Sequence, residues 1–257
     1  MNNVTLASTE DDAVAAAAVE QHHAEMAGAL TVRVEALVAA ASRHDVEAAR
    51  LAKDDLVRWC RSDLLQHAVA EEKTIYPAAR DQAAARLLVD AMVVEHGVIT
   101  DLVDEVAAGK DPVRAAAAAR ALLSVFSNHL AKENDFLLPS LVASADVSVA
   151  ELLDGVRELV GHRKAGHGGD SCGCGEVDGP GYPELDARSV PHAIRHATIF
   201  GALDAVRPGG GLLLVAPHDP IPLLGQIGRR WPEVFDVGYV ERGPEAWRLT
   251  FVRRDVA

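Results

Sequence analysis

The sequence predicts two structural units, an up-down bundle of four long helices followed by a small α+β sandwich. Residues 1–160 contain long stretches with apolar residues at helical spacing, and their many alanines favour closely packed helices. Residues 161–184 are polar and rich in glycine, which is typical of a flexible linker. Short apolar segments then alternate with short helical ones, as in a small α+β domain.

Four long helices are predicted from the apolar spacing and from the residues that interrupt it. They cover about residues 11–42, 46–76, 82–108 and 112–139, and a short amphipathic helix follows at 148–160. Asp45 and Asp111 are candidate N-caps, and Gly109 is suited to end the third helix. Pro77 and Pro139 should mark kinks or ends, because proline is not tolerated in a helix interior. Short connections favour the up-down-up-down order.

The C-terminal unit is predicted to have the order βαβαββ. Its segments are LDAR, RHATIFGALDAV, LLLVAP, PLLGQIGRR, FDVGYVERG and AWRLTFVRR, and the last two alternate like the strands of a hairpin. The predicted domains are therefore 1–160 for the bundle, 161–184 for the linker and 185–257 for the α+β sandwich.

Charge and composition narrow the classes of partner. Residues 1–160 hold 26 acidic and 14 basic side chains, a net charge of −12, while the whole chain carries −13. Without a basic patch, nucleic acid is not an expected partner, and an acidic bundle suits a cation. No apolar run approaches the roughly 18 residues of a membrane span, and the acidic N-terminal segment does not resemble a signal peptide. We therefore expect a cytoplasmic protein with no membrane partner.

Two segments of the chain repeat one another. HAVAEEKTIYP at 67–77 and HLAKENDFLLP at 129–139 each read His, three residues, Glu, five residues, Pro. This spacing places His67 beside Glu71, and His129 beside Glu133, one turn apart on a helix face. In an up-down bundle, His23 of the first helix and His96 of the third lie at about the same height as these pairs. Each helix thus supplies a histidine at one level.

Inward His and Glu side chains from four helices are the donors from which di-iron carboxylate sites are built. Imidazole suits iron, and a carboxylate can bridge two cations. Four His and two Glu give about three protein ligands per metal, or four if both carboxylates bridge.

Residues 1–160 resemble the hemerythrin-like (HHE cation-binding) family. The segments that carry the resemblance are HHAEMAGAL, HAVAEE with its following proline, EHGVITDLV, and HLAKEN with its following proline. The resemblance implies a four-helix bundle around a non-haem di-iron centre that binds oxygen or related small molecules. It also implies a metal ligand set of His23, His67, Glu71, His96, His129 and Glu133. His23 is preferred to its alternative His22 because Met26 and Leu30 follow it at the apolar spacing of the family.

One departure from the oxygen carriers affects the predicted function. They have an additional histidine one turn before the third-helix ligand, where this chain has Met92. We therefore expect a protein that binds or senses oxygen, peroxide or nitric oxide, with a role in oxidative or nitrosative stress. The alternatives are an enzyme that consumes peroxide or nitric oxide, an iron-handling or iron–sulfur repair protein that uses Cys172 and Cys174 as a relay, and a metal-free interaction module.

The remaining candidate residues are assigned no chemistry. The C-terminal unit resembles an uncharacterised family often fused behind hemerythrin-like domains, with the strand order of the TusA-like sulfur carriers but without their cysteine. It is a candidate surface for a protein partner. Glu25, Glu72 and Glu95 are expected to face solvent, and Cys60 to be buried. Further metal binding is an open alternative for two sets of residues: His192 and His196, and His162, His167, Cys172 and Cys174 in the linker.

Overall fold

The computed structural model describes residues 7, 9–153, 182–192 and 194–255. Most of the predicted linker lies outside the described residues, and so do His162, His167, Cys172 and Cys174. Residues 149–153 are helical, and the rest of the helix predicted at 148–160 lies outside the described part.

The N-terminal region is helical, as the sequence predicts. Its α-helices are α1 (Glu10–Ser42), α2 (Val46–Trp59), α3 (Leu65–Lys73), α4 (Ile75–Arg80), α5 (Arg86–Ala108), α6 (Pro112–Lys132) and α7 (Leu138–Val142). The predicted caps are confirmed: the Asp45 carboxylate accepts a hydrogen bond from the Ala48 amide at 3.0 Å, and the Asp111 carboxylate accepts one from the Val113 amide at 2.7 Å. In the described part of the chain, no helix is long and apolar enough to cross a membrane.

The second and fourth predicted helices are less regular than expected. A π-helical segment, Cys60–Leu64, joins α2 to α3, and another, Glu133–Leu137, joins α6 to α7. The chain breaks between α3 and α4 at Thr74, because Pro77 has no amide hydrogen to continue α3. The prediction of one continuous helix over 46–76 was therefore wrong. The third helix begins at Arg86 rather than at Gln82, after a turn.

Two apolar clusters fill the bundle, one on each side of a polar layer. The first cluster includes Leu30 of α1, Ile99 of α5 and Phe126 of α6. The second includes Ile75 of α4 and Met92 of α5. Along each helix the candidate ligands fall between a residue of one cluster and a residue of the other. Apolar side chains therefore screen the polar layer from solvent at both ends.

The C-terminal unit has the predicted βαβαββ order. Its elements are β1 (Glu184–Asp186), α8 (Arg195–Asp204), β2 (Gly211–Ala216), α9 (Ile221–Arg230), β3 (Phe235–Arg242) and β4 (Trp247–Arg253). The strand order is β1-β2-β4-β3, in which β1 and β2 are parallel and the other neighbours antiparallel. The inward side chains of β2 and β4, such as Leu214 and Phe251, pack with Ile199 of α8 and Ile227 of α9.

Helix α8 packs directly against α1, so the two units share an interface. A Cβ atom added at Gly28 of α1 would lie 2.0 Å from the Thr198 carbonyl oxygen, and one added at Gly201 of α8 would lie 2.0 Å from the Glu25 carbonyl oxygen. Only glycine permits this backbone contact. Val32 of α1 is part of the core of the C-terminal unit.

Two ion pairs flank this helix crossing. Arg207, after α8, lies 2.6 Å from an Asp55 carboxylate oxygen of α2, and Arg230 of α9 lies 3.5 Å from Glu25 of α1. Asp55 also pairs with Arg33 at 3.4 Å. Apolar contact and complementary charge therefore hold the C-terminal unit on α1 and α2.

Replacing Gly201 with alanine should destabilise the protein, since the new methyl group would overlap the α1 backbone. We expect the free energy of unfolding to fall by about 1–3 kcal/mol, the usual range for an overpacked core position, as measured by urea denaturation of the full chain. The matched control is Gly228→Ala in α9, where an added Cβ meets nothing within 4 Å. That change should leave stability equal or higher, because alanine is the better helix former. Equal loss in both variants would contradict the close crossing.

Candidate metal centre

All six residues predicted as ligands are buried at one level of the bundle. They are His23, His67, Glu71, His96, His129 and Glu133, none more than 7 % exposed. Among the described residues, they make up six of the eight buried polar or charged side chains. Because burying such groups is costly unless they are paired or bind a metal, their concentration in one place marks a functional site. His22, the alternative on α1, is exposed.

The first half of the site combines α1, α3 and the second π-helical segment. His23, His67, Glu71 and Glu133 each place a potential ligand atom within 4.8 Å of the others. The Glu71 Oε1 atom lies 2.9 Å from His67 Nε2 and 3.5 Å from His23 Nε2, and Glu133 Oε2 lies 3.6 Å from His23 Nε2. Two imidazoles and two carboxylate oxygens therefore face a common point.

The second half combines α3, α5 and α6. Glu71, His96 and His129 place potential ligand atoms within 4.8 Å of one another. The His96 and His129 Nε2 atoms are 3.1 Å apart, and Glu71 Oε2 lies 3.7 Å from His96 Nε2. Glu133 Oε1 lies 3.6 Å from His129 Nε2. This half also has two imidazoles and one oxygen from each of two carboxylates.

Both carboxylates are therefore shared between the halves. Glu71 directs Oε1 toward His23 and His67, and Oε2 toward His96. Glu133 directs Oε2 toward His23 and Oε1 toward His129. A carboxylate with one oxygen toward each of two imidazole groups is suited to bridge two cations.

An outer layer of polar side chains orients the histidines. His96 Nδ1 lies 2.7 Å from Glu72 Oε1, His129 Nδ1 lies 3.1 Å from Glu95 Oε2, and His23 Nδ1 lies 2.7 Å from Asn134 Oδ1. In the neutral ring, with Nδ1–H donating outward, the Nε2 lone pair points into the site, which is the form that binds a metal.

The outer partners follow one rule in the sequence. Glu72 is adjacent to Glu71, Glu95 to His96 and Asn134 to Glu133, and each contacts the histidine of the next helix around the bundle. His22, adjacent to His23, follows the same rule. Its ring contacts the edge of the His67 ring on the next helix, with centroids 5.2 Å apart. The sequence prediction missed these partners. The polar neighbour beside each ligand was the signal that could have identified them.

Glu72 and Glu95 are partly exposed, as expected, but each also contacts a site histidine. Their side chains are 39 % and 28 % exposed, and Lys132 forms an ion pair with Glu95. The negative charge of Glu95 is thus held between a cation and an imidazole.

Tyr76 is a further residue of the site that the sequence prediction missed. Its hydroxyl donates to Glu133 Oε1 at 2.7 Å and lies 3.3 Å from His96 Nε2 and 3.2 Å from His129 Nε2. The ring stacks on His96 at 5.3 Å with an interplanar angle of 13°. Burial and the nearby charges of Glu71 and Glu133 raise the pKa of Tyr76, so the hydroxyl keeps its proton.

Opposite charges set the protonation of the site. Burial by itself lowers the pKa of His23, but the nearby Glu71 and Glu133 carboxylates outweigh it and raise the pKa to about 9. Burial raises the pKa of Glu71, yet the His67 and His23 imidazoles hold that pKa well below its usual range. The site without a cation therefore contains an ionised carboxylate and a protonated imidazole.

The donor atoms present fit a pair of cations. Four buried atoms of the site lack a well-directed hydrogen bond: His23 Nε2, His67 Nε2, Glu71 Oε2 and Glu133 Oε2. An unbonded buried donor or acceptor costs about 1–3 kcal/mol, and a bound pair of cations would satisfy all four atoms. Imidazole nitrogen and carboxylate oxygen are donors that suit iron.

Among the residues that the structure describes, the other candidates do not form a second centre. Within the described ranges, no further group of three His, Cys, Asp or Glu comes together as these do. His192 and His196 bring no third ligand, and Asp219 accepts a hydrogen bond from the Tyr239 hydroxyl at 2.8 Å. Cys60 is buried as predicted, and burial raises the pKa of its thiol to about 12.

Comparison with known families agrees with the geometry. Residues 14–159, more than half of the chain, match the family described as hemerythrin HHE cation binding domain. Residues 184–253 match a family described as uncharacterized conserved protein, DUF2249. Comparison with curated proteins and with solved structures found no significant match. The fusion of these two families was predicted from the sequence and is confirmed, whereas the TusA-like likeness stays a prediction.

The stability of the metal-free protein should depend on pH in a defined direction. His23 has a pKa near 9 in the folded chain against 6.5 for an ordinary histidine, so folding binds its proton more tightly. This stabilisation is complete below pH 6.5 and is lost as pH rises through about 9. The loss is of the order of 3 kcal/mol. Urea denaturation in the presence of a chelator would measure it.

At acid pH the opposite rule applies to Glu71, whose pKa is lowered. Its contribution is present above about pH 4.5 and is lost as pH falls.

The control for the alkaline limb is His23→Gln, which should flatten the decline between pH 6.5 and 9. An unchanged decline in that variant would assign it to another group.

Proposed function

The chain belongs to the hemerythrin HHE cation-binding family, and on this premise we propose that its bundle holds a pair of non-haem irons that bind or sense oxygen, peroxide or nitric oxide. The observation that carries the proposal is the sharing of Glu71 and Glu133 between two halves, each with two histidines. A single-cation site would not require both oxygens of both carboxylates to be directed at imidazoles.

His23 and His67 would hold one iron, His96 and His129 the other, and Glu71 and Glu133 would bridge the two. Bound iron supplies redox chemistry and coordination positions open to a small ligand, since four protein donors do not fill its coordination shell. The Glu72 and Glu95 carboxylates hold their imidazoles in place and increase their basicity.

Met92 supports binding or sensing rather than reversible oxygen carriage. Its side chain is fully buried in the apolar cluster that contains Tyr76, one turn before His96. The oxygen carriers that the sequence resembles have a histidine at this position. With an apolar side chain there, the second half lacks one imidazole, which would leave a coordination position of its iron open to a ligand.

Purification from iron-fed cells tests the proposal. We expect two irons per chain by elemental analysis, with charge-transfer absorption in the near ultraviolet, and a loss of most of this iron in Glu71→Ala, because both halves lose a donor. His44→Ala, which changes an exposed histidine, is the control. Equal iron in wild type and Glu71→Ala would sink the assignment. Stopped-flow mixing of the reduced protein with oxygen, peroxide or nitric oxide then separates a stable adduct from turnover.

The outer carboxylates should tune iron affinity. Glu95→Gln keeps the side-chain shape but removes the charge that orients His129, so we expect iron affinity to fall roughly 10- to 100-fold. The measurement is competition with a coloured Fe²⁺ chelator under anaerobic conditions. Glu105→Gln, an exposed change on the same helix, should have no effect. Equal affinities for the two variants would show that His129 needs no carboxylate partner.

A further inference from the structure

The two halves of the site differ in one respect. In the first half, His23 Nε2, His67 Nε2 and Glu133 Oε2 lack a well-directed hydrogen bond, as does Glu71 Oε2 on the side of the second half. In the second half, His96 Nε2, His129 Nε2 and Glu133 Oε1 all lie within 3.3 Å of the Tyr76 hydroxyl. Three of the donor atoms of the second half therefore share the Tyr76 hydroxyl, and the contacts of Tyr76 include no donor of the first half.

Local structure holds the hydroxyl in this position. The break at Thr74 starts α4 and brings Tyr76 into its first turn, facing α5 and α6. The residue is 2 % exposed and its ring is stacked on His96. A ring packed in this way does not turn aside freely, and its O–H bond is directed at a carboxylate that the second cation would need.

We propose that the Tyr76 hydroxyl takes the place of a cation in the second half, so that the site fills in order, first at His23 and His67 and then at His96 and His129. The inference rests on the proposed two-cation function. It adds that the two halves of the site bind their cations with different affinities. A cation entering the first half displaces a proton from His23 but meets no hydroxyl group of the protein. A cation entering the second half must break the hydrogen bond from Tyr76 to Glu133.

Repulsion between two cations would also weaken the second binding step, so ordered binding alone does not identify Tyr76. The variant Tyr76→Phe separates the causes, because it keeps the ring and its stacking and removes only the oxygen. Repulsion is the same in both proteins. A hydrogen bond to a charged group contributes enough that its removal should tighten the second step about ten- to a hundred-fold.

The experiment is a titration of the chelator-stripped full chain with Co²⁺, followed by visible absorption and calorimetry. We expect two steps in the wild type, a second step tightened by that factor in Tyr76→Phe, and a first step unchanged within about twofold. Tyr239→Phe is the matched control, since it removes a hydroxyl that donates to Asp219 in the C-terminal unit, away from the site. It should leave both steps unchanged.

The outcomes are distinct. A weaker second step in Tyr76→Phe would show that the oxygen is a ligand, and an unchanged second step would show that it does not compete; either overturns the inference but leaves two-cation binding intact. Failure of the wild type to bind Co²⁺ would overturn both. If Tyr76→Phe does not fold, wild type titrated with Zn²⁺ gives the test. The ultraviolet difference signal of tyrosine should appear with the second equivalent, and its appearance with the first would contradict ordered filling.

Discussion

Six buried polar side chains at one level of a four-helix bundle are the constraint on which the rest of the structure depends. Groups of this kind cannot be removed from water without partners. The structure meets this requirement in three ways. Glu71 and Glu133 pair with the histidines inside the layer, a polar partner holds the outward nitrogen of three of the rings, and apolar clusters close both ends. What remains unsatisfied is a small set of atoms directed at each other, which is where a cation pair fits.

The candidate ligands could be predicted from sequence because their spacing is local. A histidine and a glutamate four residues apart share a helix face whatever surrounds them, so the pairs that begin at His67 and His129 were visible before any tertiary contact was known. The single histidines needed the further step of comparing heights along the bundle. Glu72, Glu95 and Asn134 could not be assigned in this way, because each acts on a neighbouring helix. The role of Tyr76 could not be predicted for a different reason. Pro77 causes the break at Thr74 that turns Tyr76 inward, but the new direction of the helix after a proline depends on tertiary packing.

The C-terminal unit shows the same division between local and tertiary information. The alternation of short apolar segments was enough to predict the order βαβαββ, since strand and helix periods differ. The position of this unit on the bundle was not predictable. Gly28 and Gly201 look like weak points in their helices when read alone, and only the close approach of two backbones explains them.

Helix α1 contacts both parts of the molecule. It places His23 in the polar layer of the bundle and, five residues later, Gly28 against the C-terminal unit. This double contact limits how the two units can vary in evolution or be exchanged by engineering. A side chain at either glycine would separate the helices, so neither position can change without a rearrangement of the crossing. The two units of this chain are therefore not freely exchangeable for those of a relative. A bundle taken from a relative that carries a larger residue in place of Gly28 would not accept this C-terminal unit without a compensating change on α8.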